Sequence, residues 1–395
     1  MKIALIILPP DEGVVAVPPL PLAYLAAVLE QERHFVRIYD LAVRGSGPHA
    51  NIVDSVRSYR PSMALICGED GVELDALAAK LDEHIKTIVR VNLDMRCWQP
   101  TAAVLDAMRA PDQGAAQGAA RRDEQSVILR AVVSFDAGFD SLPFPARHLL
   151  ALEQYRQFNV AGQAQTPIVV GRSSGERTLY SSPSLIIAEI RSVTQEQGYW
   201  HFLFEDIAIN ENPSWLRALV QQLIGAQLPI FWEARVAYHR LTPELVALCK
   251  RGGCEGLTFS FDAMVVLENH DERLALAAAV RLVRECGLAA RGRIALEPHY
   301  STLPALVDMS ATFGLDDASF EIRQPATAQL VSNSERGLAE FATTASADYL
   351  DRRGRQYYVT RFGEHLGPMI WRLGKRGILG RELQRYAAGG DTVAT

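Results

Sequence analysis

Residues 166–190 decide the fold of this chain, and they read TPIVVGRSSGERTLYSSPSLIIAEI. The run Pro167–Val170 is short and apolar, which is typical of a buried strand in a parallel sheet. Ser182 and Pro183 then provide a helix start, which the apolar residues after them continue. The stretch is therefore predicted to form one strand, one polar turn and one helix. The turn holds three hydroxyl residues in the spacing Ser-x3-Thr-x2-Ser, namely Ser174, Thr178 and Ser181.

Strand and helix signals continue to alternate downstream of this unit. The predicted strands are Trp200–Phe204, Ile230–Arg235, Gly256–Phe261, Arg291–Glu297 and Asp317–Arg323. The predicted helices are Trp215–Ile224, Pro243–Lys250 and Glu272–Cys286. With the first unit they make about six βα units, a number that we count from the apolar periodicity. Such alternation predicts a parallel α/β architecture.

The N-terminal part of the chain shows the same alternation. The predicted strands are Ile3–Leu8, Val36–Tyr39, Met63–Cys67 and Thr87–Val91, and the predicted helices are Leu20–Glu30, Ile52–Tyr59 and Val72–Ile85. Short apolar strands separated by helices predict a doubly wound, Rossmann-like parallel sheet. Ligands of such sheets bind beyond the carboxyl ends of the strands. The loops that would line a site are Pro9–Pro19, Gly68–Gly71 and Asn92–Cys97.

Composition describes an ordinary globular protein. The chain has 395 residues, of which 48% are apolar and 22% charged, and its formal net charge is -6. This length predicts two or three domains, and the acidic balance argues against general nucleic-acid binding. No apolar run reaches membrane-spanning length. The N-terminal apolar run stops at Pro9-Pro10 without a small-residue cleavage site, so we expect a buried first strand and a cytoplasmic protein.

The five cysteines are odd in number and scattered: Cys67, Cys97, Cys249, Cys254 and Cys286. Such a set predicts reduced and mostly buried thiols. Only Cys249 and Cys254 are close in sequence, at the end of a helical run and in the turn after it. We interpret them as core or turn thiols, with a metal-ligand pair as the alternative.

The spacing Ser174-x3-Thr178-x2-Ser181 resembles the opening of a radical S-adenosylmethionine (SAM) barrel. In that family Cys-x3-Cys-x2-Cys lies between such a strand and helix, and its thiolates hold a [4Fe–4S] cluster that binds SAM. The resemblance implies a partial (β/α)6 barrel over residues 166–335. Hydroxyls are poor substitutes for thiolates at iron, so we expect no iron–sulfur cluster here.

A second resemblance lies in residues 18–30, PPLPLAYLAAVLE, and residues 34–41, HFVRIYDL. They resemble the start of the cobalamin-binding domain of B12-dependent radical SAM proteins. The resemblance implies candidate cobalamin contacts at Pro10, Pro19, Leu20, Tyr24 and Gly68. Pro21 stands where that family usually has Gly, and residues 92–98 lack its Gly-Gly loop. Because glycine lets a corrin approach the backbone, these losses leave cobalamin binding open.

The radical SAM resemblance also implies candidate SAM contacts at the carboxyl ends of barrel strands. The candidates are Glu205, Arg235 and Glu297. Further charged residues expected at this edge are Asp206, Glu233, Asp262 and His299. Bulky residues replace glycine-rich SAM turns after two strands, which leaves SAM binding open. Glu297 and His299 could form an acid–base pair or a structural hydrogen bond.

The resulting domain prediction has four parts. Residues 1–125 form a shortened cobalamin-binding-like domain, 126–165 a proline-containing linker, 166–335 the barrel, and 336–395 a basic amphipathic helical tail. The tail carries nine Lys or Arg against three acids between Asp351 and Tyr386. Such helices pack on their own barrel, lie on membranes or dock on an acidic partner.

Two functions fit this pattern. The first is a catalytically degenerate accessory or activating partner of a cluster-bearing radical SAM paralogue, for example a methyltransferase. The second is a repurposed enzyme that uses cobalamin or SAM without a cluster, for example in polar methyl transfer. In the first case no catalytic residue and no metal ligand are expected in this chain.

Overall fold

The computed structural model describes residues 1–9, 17–43, 50–68, 71–82, 85, 87–92, 139–155, 163–174, 177–205, 207–296, 313–322, 359, 366 and 369–371. Over these residues the chain has a mixed α/β fold with parallel sheets. It divides into two compact units. The first holds Met1–Arg156 and Val169–Glu189, and the second holds Gln157–Ile168 and Ile190–Thr395.

The first unit contains a four-stranded parallel sheet with the order β2-β1-β3-β4. The strands are β1 (Lys2–Ile7), β2 (Phe35–Asp40), β3 (Met63–Gly68) and β4 (Thr87–Asn92). The helices are α1 (Leu20–Gln31), α2 (Ala50–Tyr59) and α3 (Gly71–Asp82). Each predicted N-terminal strand and helix is confirmed, with small shifts at the ends. The predicted strand Val127–Phe135 lies outside the described residues.

Burial on both faces explains the apolar runs of this sheet. Ile3–Leu8 are at most 1% exposed, and β3 is buried along its whole length. Helix α1 is also buried from Leu20 through Leu29, so it has almost no polar face. A parallel sheet covered on both faces favours continuous apolar strands over alternating ones.

The second unit contains a six-stranded sheet with the order β12-β11-β10-β9-β8-β5. The strands from residue 165 onward are β5 (Gln165–Val169), β6 (Gly171–Ser174), β7 (Arg177–Tyr180), β8 (His201–Glu205), β9 (Phe231–Val236), β10 (Cys254–Asp262), β11 (Ala289–Leu296) and β12 (Asp317–Ile322). The helices are α4 (Pro183–Gln197), α5 (Pro213–Ala226), α6 (Pro243–Arg251), α7 (Ala263–Glu268) and α8 (His270–Glu285). The predicted parallel strands are confirmed from β8 through β12.

Side-chain caps fix where the helices of this unit begin. Asn212 Oδ1 accepts from the Trp215 amide at 3.1 Å, and Thr242 Oγ1 accepts from the Leu245 amide at 3.3 Å. Asp262 accepts from the amides of Met264 and Val265, which starts the short helix α7. Helix α7 is not predicted from the sequence, because its apolar residues resemble a continuation of the preceding strand.

The polar turn predicted after Gly171 is instead a β-hairpin. Strands β6 and β7 pair antiparallel, with Gly171 opposite Tyr180, Ser173 opposite Thr178 and Ser174 opposite Arg177. Two residues, Gly175 and Glu176, separate these strands in the sequence. A two-residue connection that contains glycine is a hairpin signal, and the sequence prediction of a simple turn missed it.

Residues 139–155, which we call the connecting segment, are hydrogen-bonded to the other elements of the first unit. They form three short 3₁₀ turns. The Ala146 amide donates to the Ala23 carbonyl of α1 at 2.9 Å, and Tyr155 donates to the Asp40 carboxylate of β2 at 2.9 Å. Asp140 accepts from the Ser182 amide at the start of α4 at 2.8 Å. The segment is therefore held at several points along its length.

The strongest of these ties is a buried ion pair. Arg147 Nη2 donates to Glu189 Oε1 of α4 at 2.7 Å, and both side chains are at most 5% exposed. The second carboxylate oxygen of Glu189 accepts from the Tyr24 hydroxyl of α1 at 3.2 Å. One buried carboxylate thus joins α1, the connecting segment and α4.

The C-terminal tail is described only at Val359, Leu366 and Met369–Trp371, all of which are helical. Trp371 is buried, whereas Leu366 and Met369 are exposed. The rest of the predicted tail lies outside the described residues. Among the helices of the described ranges, none combines the length and the hydropathy that crossing a membrane requires.

Replacing Arg147 with alanine is expected to lower the free energy of unfolding of the first unit by about 3–5 kcal/mol. The substitution would leave the Glu189 carboxylate buried without its cation, which is far more costly than losing an exposed pair. Arg191→Ala is the control, because Arg191 is an exposed arginine two residues after Glu189 in α4, and its loss should change stability by less than about 0.5 kcal/mol. Urea unfolding followed by circular dichroism measures both values. An equal decrease in the free energy of unfolding in the two variants would show that the buried ion pair contributes no more to stability than an exposed arginine does.

Candidate functional site

The three hydroxyl residues of the motif lie on and after the hairpin. Ser174 belongs to the rung shared with Arg177, and Thr178 belongs to the neighbouring rung shared with Ser173. Neighbouring rungs of a ladder belong to opposite faces of a hairpin. Ser181 follows the hairpin, is buried, and donates its amide hydrogen to the Val170 carbonyl at 3.0 Å. This arrangement does not fit an iron–sulfur cluster, which needs three thiolates that converge on one point.

The candidate cobalamin contacts occupy several places in the first unit. Gly68 ends β3 at the point where the strand order reverses between β1 and β3, which is where such sheets bind ligands. A Cβ atom at Gly68 would lie 2.7 Å from Leu8 Cδ1, so this glycine permits the close packing of Leu8.

The other candidate cobalamin contacts are at or near α1. Pro19 is the residue before α1, and Leu20 is the buried first residue of that helix. Tyr24 faces the core and donates to Glu189. Pro10 lies outside the described residues.

The aspartate that ends β2 serves the structure of the first unit. Asp40 is 4% exposed, and its two carboxylate oxygens accept from the Tyr155 hydroxyl and from the Ala42 amide, each at 2.9 Å. The described part of this sheet edge therefore consists of packing and hydrogen-bonding residues. The loops that would complete a corrin site, including residues 93–98, lie outside the described residues.

The two faces of the six-stranded sheet differ sharply in character. On β10 the residues Leu257, Phe259 and Phe261 are buried, while Thr258 is half-buried and Ser260 is exposed. Helices α6, α7 and α8 contact β10 or β11, so we assign the buried residues to the helix-covered face. We call the other side the open face. It carries Glu233, Arg235, Thr258, Ser260, Arg291 and Arg293.

The strand register arranges the open face in rows. One row runs Arg235, Thr258, Arg291, Asp317 across β9 to β12. The next row toward the carboxyl ends runs Ser260, Arg293, Ser319 across β10 to β12. In a filled α/β barrel such positions hold branched apolar residues. Here they hold charged and hydroxyl groups, which are the kinds of group that orient a ligand in a binding site.

Arg291, a member of the first row, forms a largely buried ion pair with Glu233. Arg291 Nη2 of β11 donates to Glu233 Oε1 of β9 at 2.9 Å, across the intervening strand β10. Gly256 of β10 is the register partner of Glu233 on one side and of Ala289 on the other, and a Cβ at Gly256 would lie 3.5 Å from Glu233 Oε1. Glu233 is 3% exposed and sits in the middle of its strand. Its predicted position at the carboxyl end of the barrel is therefore wrong.

The remaining residues predicted at the carboxyl ends of the barrel strands are not gathered into one cluster within the described part of the chain. Arg235 is half-buried near the end of β9, and Glu205 is the last residue of the neighbouring strand β8. Asp262 ends β10 but caps α7, so its carboxylate has a structural partner. Glu297, His299 and Asp206 lie outside the described residues. The predicted Glu297–His299 pair therefore stays a prediction.

Sequence reasoning missed a group of titratable residues after β9. Tyr238 donates a short hydrogen bond to Glu272 in the first turn of α8, and His239 Nε2 lies 2.9 Å from the same carboxylate. Burial, followed by the hydrogen bond to Glu272, raises the pKa of the Tyr238 hydroxyl well above its usual value. These residues hold the loop after β9 against α8. Nothing in the sequence links them, because Glu272 lies 34 residues after Tyr238.

The cysteines that are described behave as core thiols. Cys67, Cys249 and Cys254 are buried, Cys286 is half-buried, and none of the four forms a disulfide. Burial raises the pKa of the Cys249 thiol to about 12 and that of Cys254 well above its usual value. Within the described ranges, no group of three or more His, Cys, Asp or Glu side chains could hold a metal ion. Cys97 lies outside those ranges.

The fold is similar to that of solved cobalamin-dependent radical SAM enzymes. The radical SAM methyltransferase TsrM from Kitasatospora setae, solved with cobalamin and a [4Fe–4S] cluster, matches with a TM-score of 0.54 at 14% identity, covering 81% of this chain and 74% of that one. The cobalamin-dependent SAM radical enzyme OxsB, solved with aqua-cobalamin and SAM, matches with a TM-score of 0.55 at 12% identity, covering 89% of this chain and 56% of that one.

At identities this low, the structural similarity shows a shared fold. Neither the protein-family models nor the curated proteins gave a match to this chain. The fold is thus the mixed α/β architecture with parallel sheets that occurs in cobalamin-dependent radical SAM enzymes.

Alkylation is expected to separate the cysteines by burial. At pH 8 a thiol of pKa about 12 is ionised in about one molecule in 10,000, and the thiolate is the reactive form. Iodoacetamide should therefore modify Cys286 in the folded protein and leave Cys249 and Cys254 unmodified. Peptide mass spectrometry measures each site, and the same reaction in urea is the control in which all three should react. Rapid native labelling of Cys254 would contradict its burial.

Proposed function

We propose that this chain is a catalytically degenerate relative of the cobalamin-dependent radical SAM enzymes. In this proposal it acts as a non-radical accessory or activating partner of a cluster-bearing paralogue, for example a methyltransferase. The observation that carries the proposal is the hairpin of β6 and β7. It puts Ser174 and Thr178 on adjacent rungs at the positions where the family resemblance expects cluster thiolates.

The chemistry of the side chains supports this proposal. Serine and threonine hydroxyls stay protonated at neutral pH and are hard donors, whereas iron–sulfur clusters are held by soft thiolates. The described cysteines offer no replacement set. Cys67 lies in β3, Cys249 in α6 and Cys254 in β10, and all three are buried within those elements. Each would have to leave its own element to reach the hairpin.

The preserved scaffold favours a binding role. The strands and helices keep their apolar cores, and buried ion pairs hold the connecting segment and the open face in place. A chain that keeps such a fold while its cluster positions carry hydroxyls is suited to recognise a related chain. The paralogue, the accessory role and the heterodimer are all part of the proposal.

A second function is favoured by the charged rows of the open face. These rows would suit a repurposed enzyme that binds cobalamin or SAM without a cluster, for example for polar methyl transfer. The SAM candidates of this alternative are Glu205, which ends β8, and Arg235, which lies near the end of β9. For cobalamin, Gly68 is the candidate at the sheet reversal, although Asp40 is already engaged with Tyr155.

Anaerobic reconstitution with iron and sulfide is expected to give no [4Fe–4S] absorption and no SAM cleavage to 5′-deoxyadenosine. Restoring the thiols together, as Ser174→Cys, Thr178→Cys and Ser181→Cys, should still give a poor cluster because the hairpin separates the first two positions. A cluster-bearing paralogue treated in parallel controls the reconstitution. A stable four-iron cluster in the unaltered chain, with SAM cleavage, would overturn the proposed degeneracy.

Co-expression with a cluster-bearing paralogue encoded nearby tests the partner role. We expect the two chains to co-purify and the paralogue's SAM turnover to rise at least severalfold when this chain is present. The triple cysteine variant is a useful control, because a partner that acts by binding should activate equally well with or without thiols. If no complex forms and the paralogue is equally active alone, the proposal fails. Calorimetric binding of hydroxocobalamin or SAM to the isolated chain would then favour the second function.

A further inference from the structure

The first unit exposes an aromatic side chain at the amino end of its sheet. Phe35 is the first residue of β2 and is 71% exposed. Its backbone is held on both sides, because the Phe35 amide donates to the Met1 carbonyl at 2.9 Å and the Tyr59 hydroxyl donates to the Phe35 carbonyl at 2.8 Å. A large apolar side chain on a backbone that is already ordered is suited to anchor an interface.

Two cations flank Phe35 on the same face of the sheet. The register sets Lys2 of β1 opposite Phe35, and Arg37 lies two residues after Phe35 on β2, so the three side chains belong to one face. Lys2 Nζ lies 5.2 Å and Arg37 Cζ 4.5 Å from the centre of the Tyr59 ring. Lys2 and Arg37 are exposed, whereas Tyr59 is buried. The buried ring therefore holds both cations at the surface beside Phe35.

Both cations retain hydrogen-bond donors for a ligand. Lys2 Nζ donates to the Tyr59 carbonyl at 3.2 Å, and an ammonium group has further N–H groups to donate. Arg37 contacts the face of the Tyr59 ring and, within the part of the chain that the structure describes, forms no ion pair. A guanidinium stacked on a ring keeps its N–H groups in its own plane, where a carboxylate can accept two of them.

Two more arginines at this end of the sheet adopt a left-handed backbone conformation. Arg33, between α1 and β2, has a φ of 64°, and Arg60, between α2 and β3, has a φ of 53°. Both are exposed. Glycine or asparagine is the usual residue in this conformation after a helix, because other side chains are disfavoured there. The chain thus has an arginine in both of these loops although the backbone favours a smaller residue.

Two carboxylates near the end of α1 are engaged with histidines. Glu30 Oε1 lies 3.1 Å from His148 Nε2, and Glu32 Oε2 lies 3.6 Å from His34 Nε2. They therefore offset little of the positive charge that surrounds Phe35. We use the name basic aromatic patch for Lys2, Arg33, Phe35, Arg37 and Arg60.

We infer that the basic aromatic patch docks on an acidic surface of a partner chain, with Phe35 in an apolar pocket and the cations on carboxylates around it. Aromatic residues and arginine are enriched at protein interfaces, and one buried aromatic can serve as the main anchor. Entry into a membrane interface takes the apolar face of a whole helix, so a single phenylalanine suits a protein pocket better.

This inference rests on the accessory role proposed above and names the surface through which it acts. The patch lies at the amino ends of β1 and β2. Gly68, the candidate cobalamin contact at the sheet reversal, lies at the opposite, carboxyl end of β3. A partner on the patch is therefore separate from the edge at which such a sheet binds ligands.

Binding kinetics of the cluster-bearing paralogue on the immobilised full chain test this surface. Phe35→Ser should weaken binding by about tenfold or more, mainly through faster dissociation, because it removes the anchor. Arg37→Glu should slow association roughly tenfold at low salt. That deficit should shrink at high salt, because salt screens the interaction between exposed charges.

The matched control combines Leu274→Ser with Arg281→Glu in α8. It replaces one exposed apolar side chain and one exposed arginine outside the patch, so it should leave both rates unchanged. Circular dichroism checks the folding of each variant. If Arg37→Glu does not fold, Phe35→Ser decides, because it alters only an exposed side chain.

The outcomes separate this surface from the accessory role itself. If a complex forms and the patch variants bind as tightly as the unaltered chain, this surface is wrong and the accessory role stands. If no complex forms, both are wrong. Sedimentation with phosphatidylserine vesicles is the last arm. If Phe35→Ser abolishes binding to the vesicles and leaves paralogue binding unchanged, the patch is a membrane contact and the inference is overturned.

Discussion

The buried contact between Arg147 and Glu189 is the constraint on which the first unit depends. Removing two charges from water is costly, and the cost is recovered only when the geometry is good and the remaining oxygen is also bonded. Tyr24 satisfies that second oxygen. The Glu189 carboxylate bonds to Tyr24 of α1 and to Arg147 of the connecting segment. If either α1 or the connecting segment shifted, this buried carboxylate would lose a hydrogen-bond partner. The residues that resemble a cobalamin-binding helix are thereby fixed in place by an interaction unrelated to cobalamin.

The sequence was sufficient for the parallel strands and for most helices, because their apolar runs directly reflect burial. It was insufficient wherever a contact joins distant residues. Arg147 and Glu189 are 42 residues apart, and Arg291 and Glu233 are 58 apart, so no local pattern connects them. Glu233 was expected at the barrel mouth because barrel enzymes carry their charged functional residues at the carboxyl ends of the strands. The ion pair across Gly256 is what allows that charge in the middle of the sheet.

The hairpin and the open face show two ways in which this scaffold differs from a filled barrel or a cluster-binding loop. At the hairpin, β6 and β7 pair antiparallel, with Ser174 and Thr178 on adjacent rungs. On the open face, guanidinium and hydroxyl groups replace the branched apolar layers that usually fill a barrel. The helix-covered side of the same sheet stays fully apolar. Charged and hydroxyl side chains therefore occupy one side of the sheet, and apolar packing occupies the other.

The pair of Glu233 and Arg291 also has a consequence for how the sheet opens. It links β9 to β11 directly, over a strand that lies between them. Strand β10 cannot separate from either neighbour while that bridge is intact, so these three strands should exchange their amide hydrogens as one cooperative group. Among the strands of the described residues, β5 and β12 are the outermost in this sheet, and they can open without breaking the bridge. Fluctuations of this sheet would then begin at its margins and spare the centre where the arginine rows lie.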